Sequence, residues 1–359
     1  MNANRLTLAA FVLVLGGFFL LKLILPQQEF SFAERRPLNS LPDMSLESLA
    51  SGEFMDEFEG YAADSFPFRD GFRAVRAGVA LGAFRMSDKD GIYVDSATGI
   101  GKFEKINAAS LRLVARKMEE AVGVVGDCNI YMAFVPDKSA YASTFYPGFD
   151  MDEASSFFEG ALPNAMPIDL SGSLSADSYY KTDLHWSQPA LGRVVESLGQ
   201  AMSFSVKPLD SFKTFGSFNG VYKGQLALPT ALVDSMDYIE ITGATALYYS
   251  EAGSWEEGEI YSKEGFESVD PYNFFLRGPC PAIQIENPNA LEDRTLYLFR
   301  DSFSSSLAPL LAQSYKNLVC IDLRYLSANA LAQLVDFKPG SDVLFLYGSL
   351  FLNSFADWE

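Results

Sequence analysis

The sequence predicts an α/β protein: a mainly parallel sheet with helices on both faces, preceded by one apolar helix at the N-terminus. Three observations carry this. Short, continuously apolar runs at 129–135, 295–299 and 342–347 have the composition of strands buried on both faces. Segments of helical periodicity stand between such runs, and that alternation is the mark of crossover connections in a parallel sheet. With 48% of its 359 residues hydrophobic and 20% charged, the chain has enough apolar surface for a substantial core.

Residues 6–25 are apolar apart from Thr7 and Lys22, and Pro26 follows. At about 1.5 Å per residue this run reaches roughly 30 Å, enough to cross a bilayer with Lys22 snorkelling to its edge. Arg5 supplies a positive flank, and no small-x-small cleavage pattern follows the run. The segment therefore reads as an uncleaved signal anchor at the cell membrane: residues 1–26 form a cytoplasmic stub and a single span, and the rest of the chain is extracellular. A cleaved signal peptide and a buried core helix are the alternatives. Residues 27–44, with Pro37, Pro42 and Glu34-Arg35-Arg36, read as a juxtamembrane linker before a domain over 45–359.

Ser45 is placed to cap a helix to about residue 63, with Phe54, Phe58 and Tyr61 on one face. Pro67 interrupts, and the helical pattern resumes over 69–84. Segments 91–94 and 100–103 flank a turn-rich 95–99 as a hairpin. A helix over 107–125 leads to the strand 129–135, which ends at Pro136-Asp137-Lys138; a helix over 152–162 and a strand at 166–170 follow. A loop carrying Asp183 and His185 opens a helix over 188–202. An irregular insertion over about 205–290 holds short strands at 238–242 and 246–249. The alternation then returns: strand 295–299, helix 304–313, strand 317–322, helix 328–335 and strand 342–347.

A net charge of −19 and a pI near 4.5 argue against nucleic acid or an anionic lipid surface as the partner of the domain, because like charges repel. Cys128, Cys280 and Cys320 are far apart and odd in number, with no CxxC or His/Cys cluster, so neither a zinc site nor a disulfide framework is expected. Cys128 and Cys320 lie in apolar runs and read as small core residues.

His185 is the only histidine in the chain, within Tyr180-Lys181-Thr182-Asp183-Leu184-His185-Trp186. It is the one imidazole available as a proton shuttle, and Asp183 is placed to orient it. The plain alternative is a structural histidine held by Trp186. A second segment, Leu298-Phe299-Arg300-Asp301-Ser302-Phe303-Ser304, runs from a buried strand into Asp-Ser and then a helix. Sites in parallel sheets form at the carboxyl ends of strands, which is where Ser302 lies, and the next helix points unpaired N–H groups there. Asp301 and Ser302 are equally good helix caps. Together the segments supply a nucleophile, a base and an orienting carboxylate. If the loop is extended, Asp183 and His185 face the same way and leave the second ring nitrogen for Ser302.

The stretch 180–186 resembles the Asp-x-His-Trp signature of the bacterial DHHW family, which is related to SGNH-type alginate O-acetylation proteins. Arg300-Asp301-Ser302-Phe303, Ala308-Pro309 and Asp322-Leu323-Arg324-Tyr325 are similar to that family's later serine block, and residues 39–69 to its N-terminal region. The resemblance implies an SGNH-like (flavodoxin-like) fold with a permuted motif order, and a triad of Ser302, His185 and Asp183. Leu184 stands at the second motif position, as a non-histidine does in the alginate proteins, which leaves His185 as the base. Arg300 replaces the glycine that ordinary SGNH enzymes carry before Asp-Ser, and no clear oxyanion blocks match. Asn219-Gly220 is the candidate oxyanion loop, with a simple turn as the alternative. Lys138 matches a Pro-x-Lys strand end, and reads either as a group that positions a substrate carboxylate or as a surface lysine. Trp186 and Arg300 complete the candidate substrate or oxyanion residues.

The expected function is that of a membrane-anchored, extracytoplasmic O-acetyltransferase or acetylesterase acting on a cell-surface glycopolymer through an acyl-enzyme. Such chemistry calls for no cofactor and no metal. Acetyl-CoA is confined to the cytoplasm, so a transferase would need a membrane acyltransferase partner as its acetyl donor. The alternative is a non-catalytic surface module that binds glycan or scaffolds an envelope complex.

Overall fold

The computed structural model describes residues 3–144, 146, 148–250 and 252–358; residues 1 and 2 of the expected cytoplasmic stub lie outside them. The chain forms two compact units, Met1–Lys89 with Lys223–Ala231, and Asp90–Tyr222 with Leu232–Glu359. This divides the chain differently from the linker at 27–44 and single domain at 45–359 that composition suggests. The reason is local: the charged 34–36 segment is tied into the first unit. Phe30–Ser31 and Arg36–Pro37 form a small antiparallel ribbon. Arg36 donates two hydrogen bonds to the Asp64 carboxylate, at 2.9 and 2.7 Å, and holds its pKa down to about 2.

The first unit is helical. Helix α1 (Ala3–Ile24) contains a 20-residue apolar stretch, Arg5–Ile24, long and apolar enough to cross a membrane. Ser45 caps as expected, but the helix it starts, α2 (Leu46–Ser51), ends at Gly52, whose φ of 87° breaks the run. Helix α3 (Glu53–Asp64) then begins afresh. Helix α4 (Arg69–Ala77) continues through a wider turn over Gly78–Ala83.

The second unit is an α/β layer structure. Its strands are β1 (Asn129–Val135), β2 (Met166–Ile168), β3 (Thr245–Tyr249), β4 (Trp255–Gly258), β5 (Ala282–Glu286), β6 (Glu292–Arg300), β7 (Tyr315–Ile321) and β8 (Asp342–Gly348). They form one eight-stranded sheet in the order β4-β3-β5-β7-β6-β8-β1-β2. β7, β6, β8, β1 and β2 pair in parallel, whereas β5, β3 and β4 extend the sheet in antiparallel fashion. The segment over 205–290 supplies three strands of the main sheet, two of which (β4 and β5) periodicity did not reveal.

Helices α5 (Ala108–Val125), α6 (Met151–Ala161) and α9 (Ala328–Leu334) cover one face; α7 (Gly192–Met202) and α8 (Ser304–Leu311) cover the other. The strict alternation of strand side chains sorts the two layers. On β1, Tyr131, Ala133 and Val135 pack with α7 and α8, while Met132 and Phe134 pack with α5 and α6. β6 does the same with Leu296 and Leu298 against Tyr297 and Phe299. Continuous apolarity in these strands is therefore the direct consequence of a sheet buried on both sides.

Candidate active site

The turn that carries the candidate nucleophile, Ser302, follows from the strand before it. β6 is locked between β7 and β8, with Leu298 opposite Cys320 and Leu344, so its carboxyl end has little freedom. Asp301 then fixes the turn. Its Oδ1 accepts the Phe303 N–H at 3.0 Å and its Oδ2 accepts the Gly348 N–H at 2.7 Å, which ties the ends of β6 and β8 together. Burial pushes the Asp301 pKa up, against the lowering effect of these bonds. Helix α8 carries no side-chain cap at its N-terminus, so the capping role open to Ser302 is not taken. Its hydroxyl lies 2.9 Å from His185 Nε2 instead.

The candidate base, His185, arrives on a loop. Tyr179 and Trp186 bridge in antiparallel fashion, and the Tyr180 N–H donates to the His185 carbonyl at 3.0 Å. Between them the backbone bends rather than running extended, contrary to the geometry assumed from the i, i+2 spacing. The bend brings the backbone nitrogen and Nδ1 of His185 onto one oxygen: Asp183 Oδ1 lies 3.2 Å from the first and 2.7 Å from the second. The second carboxylate oxygen accepts the Val221 N–H at 3.0 Å. Nδ1 therefore carries a proton toward Asp183, and Nε2 faces Ser302 with its lone pair. Asp183 and His185 are both buried, while Ser302 is partly exposed.

The other sequence candidates have different places. Lys138 is fully buried, not at the surface, and its three ammonium donors meet the carbonyls of Ile100, Tyr180 and Asp183 at 2.7, 2.7 and 3.0 Å. It staples the base loop and has no donor left for a substrate. Burial pushes its pKa down to about 8. The Gly220 N–H is bound to Thr182 Oγ1 at 2.8 Å, so it is not aimed at an oxyanion. Glycine is required there by close approach, since a Cβ would stand 2.4 Å from the Thr182 carbonyl oxygen and the Asp183 nitrogen. Asn219 beside it is exposed. Trp186 is buried and donates to the Phe303 carbonyl at 2.8 Å, joining base loop to nucleophile turn rather than meeting substrate. Arg300 is buried too, with Nη1 on Ser305 Oγ at 2.6 Å and Nη2 on the Gly278 carbonyl at 3.2 Å.

Two contributors escaped the sequence reading. The Tyr272 ring lies parallel to the His185 imidazole, centroids 3.7 Å apart and planes within 2°. Its hydroxyl donates to Ser306 Oγ at 2.8 Å, and burial pushes its pKa up, so it stays neutral. Asp234 accepts the backbone N–H groups of Lys181 and Thr182 at 2.6 and 2.7 Å, as well as the Thr182 hydroxyl. Both come from the segment over 205–290, where no local pattern announces them.

No family model and no curated protein matches the chain. Among solved structures, a DHHW family protein from Eubacterium siraeum has a similar fold, with a TM-score of 0.60 and 19% identity, over 74% of this chain and 93% of that one. Bacillus cereus PatB1 is also similar. Its form with a sulfonyl adduct gives a TM-score of 0.55 at 22% identity, over 73% of this chain and 96% of that one. A second PatB1 structure gives 0.54 at 23%, over 73% and 97%. At such identities the likeness is one of fold, and it agrees with the resemblance drawn from 180–186 and 300–303.

Proposed function

We propose that the chain is a membrane-anchored, serine-dependent O-acyltransferase or esterase that moves acetyl groups on a cell-surface glycopolymer. One observation carries the reading: a single relay from Asp183 through His185 to Ser302, with contacts of 2.7 and 2.9 Å. In it Ser302 Oγ attacks the acyl carbonyl while His185 Nε2 takes its proton. Asp183 holds the ring and stabilises the imidazolium that forms. The imidazolium then protonates the departing oxygen, leaving an acyl-serine. A sugar hydroxyl or a water resolves it, giving up its proton to His185, which passes it to Ser302 Oγ as the acyl bond breaks.

Three further points support the reading. The fold similarity includes a protein solved with a sulfonyl adduct, and sulfonyl groups are electrophiles that trap nucleophiles. Helix α1 is suited to hold the domain at a membrane outside the cytoplasm, where a membrane acyltransferase would serve as donor. A cleft of about 740 Å³ opens at the carboxyl ends of β1 and β2, with Asp137, Asp150, Asp169, Tyr141 and Phe149 in its lining. Strands stand about 4.8 Å apart, so β1 is about 10 Å from β6, a reach of two or three sugar units. Carboxylates and aromatic rings suit a hydroxyl-rich, uncharged glycan and repel a polyanion.

The nucleophile is tested by labelling the full chain with a fluorophosphonate or sulfonyl fluoride probe. Wild type should be labelled and Ser302→Ala should not; equal labelling of the two sinks the assignment.

A further inference from the structure

Helix α4 is built inside out for a helix in water, where the apolar stripe faces the protein and the charged stripe faces solvent. Here the charged stripe is the inner one. Arg69 pairs with Glu34 and, at 3.0 Å, with Asp64; Arg73 pairs with Glu34 at 3.1 Å. Arg73 also donates to the carbonyls of Gly224 and Gln225 at 3.1 and 2.9 Å. The adjoining stripe runs Phe68, Phe72, Val75 and Val79, at i, i+4, i+7 and i+11, with 65, 48, 64 and 42% of each residue exposed. Phe84 extends it at 74%. A continuous apolar stripe of this kind marks a surface meant to be covered.

Its place beside α1 says by what. Phe18 of α1 stacks on Phe66 at 5.1 Å and meets Phe72 edge-on at 5.7 Å. Phe18 lies seven residues before Leu25, the end of the apolar run, so at about 1.5 Å per residue it sits about 10 Å inside the hydrocarbon. The rings of Phe66 and Phe72 must share that depth. Interfacial helices bury their apolar face about 5–10 Å below the headgroups, which is the same level. One turn nearer the edge, Lys22 lies 4.1 Å over the Tyr61 ring, a lysine and a tyrosine at the height where both are favoured.

We propose that α4 and its continuation to Phe84 form a second membrane element, lying in the plane of the outer leaflet with lipid acyl chains covering Phe68, Phe72, Val75 and Val79. The proposal rests on reading α1 as a membrane span. Its consequence is a two-point anchor, in which the span fixes the chain in the bilayer and α4 limits the tilt of the unit that carries it.

The test reconstitutes the full chain, as wild type and as Val75→Trp, into phosphatidylcholine vesicles with or without bromine on the acyl chains. Val75 is exposed, so the larger ring displaces no packed neighbour. Brominated lipid should remove at least about half of the emission that the introduced tryptophan adds, because bromines at acyl-chain depth lie beside it. The emission of Trp186, Trp255 and Trp358 in wild type is the baseline. If the introduced tryptophan goes unquenched in a chain that resists carbonate extraction, the proposal is overturned while the span stands. Shielding of that tryptophan from aqueous acrylamide without bromolipid quenching assigns the face to a second protein copy, and also overturns it. Release of wild type by carbonate removes the span and the proposal together.

Discussion

The two halves of the candidate site are built on different principles. The nucleophile turn is supported locally: β6 is clamped between two parallel neighbours, and Asp301 ties its end to β8 through two backbone N–H groups. The base loop has almost no regular structure of its own. Its shape is imposed from a distance, by Lys138 through the carbonyls of Tyr180 and Asp183 and by Asp234 through two N–H groups and a hydroxyl. Trp186 and Gln188 then couple the halves by donating to the carbonyls of Phe303 and Ser306 at 2.8 and 2.7 Å. A strand end needs only its sheet, whereas a loop that must hold an imidazole needs buried polar groups that satisfy its backbone.

The largest effect should come from removing the point where the halves meet. His185→Ala should keep the fold, at a cost of about 1–3 kcal/mol because the buried Asp183 carboxylate loses its Nδ1 partner, yet lower turnover of an acetyl ester by about a thousandfold or more. No second histidine exists to substitute for it. Activity persisting in this variant would break the mechanism, whatever the fold.

Lys138→Met should be the next largest, because it attacks the loop through its remote support. It leaves carbonyl acceptors buried and unpaired, at a cost of about 1–3 kcal/mol, and should slow turnover about 10- to 100-fold as Asp183 loses its register. A titration sharpens the assignment. The buried Lys138 has its pKa lowered from 10.5 to about 8, so between those values the unfolded chain binds the proton that the folded chain has released. Stability from this group therefore rises with pH from about 8 toward 10.5. Urea unfolding across that range should show the rise in wild type relative to Lys138→Met; parallel curves would mean that Lys138 is not the group that titrates.

The same contrast explains what could be read from sequence. Strands β1, β6 and β8 are legible because burial on both faces leaves a continuous apolar run, and α5 because its apolar stripe repeats at the helical period. Ser302 is legible because a strand end followed by Asp-Ser and a helix is a local pattern. β5 joins the sheet across sequence distance, pairing Ile283 with Cys320 and with Tyr248, and its five residues carry no period long enough to mark it. Lys138 reads as a surface lysine because its hydrogen-bond partners are the backbone carbonyls of Ile100, Tyr180 and Asp183, which no side-chain pattern in the sequence announces. Tyr272 is placed by Asp270, whose side chain accepts its N–H at 3.0 Å, and nothing in that short turn refers to His185 more than 80 residues away.

Tyr272 therefore offers the smallest and most discriminating change. Its neutral ring lies flat on the imidazole at 3.7 Å, so in the proposed mechanism the negative face of the ring meets the positive charge that His185 takes on with the Ser302 proton. Its hydroxyl does separate work on Ser306, at 2.8 Å. Tyr272→Phe keeps the ring and should cost about 0.5–1.5 kcal/mol of stability with turnover within about threefold of wild type. Tyr272→Leu removes the π face as well and should lower turnover about 10-fold, equivalent to about 1.4 kcal/mol of lost imidazolium stabilisation. Comparing the two variants in parallel separates the contributions. If the leucine variant turns over as fast as the phenylalanine variant, the ring only packs against His185, and the support of the base loop is purely the polar scaffold of Lys138 and Asp234.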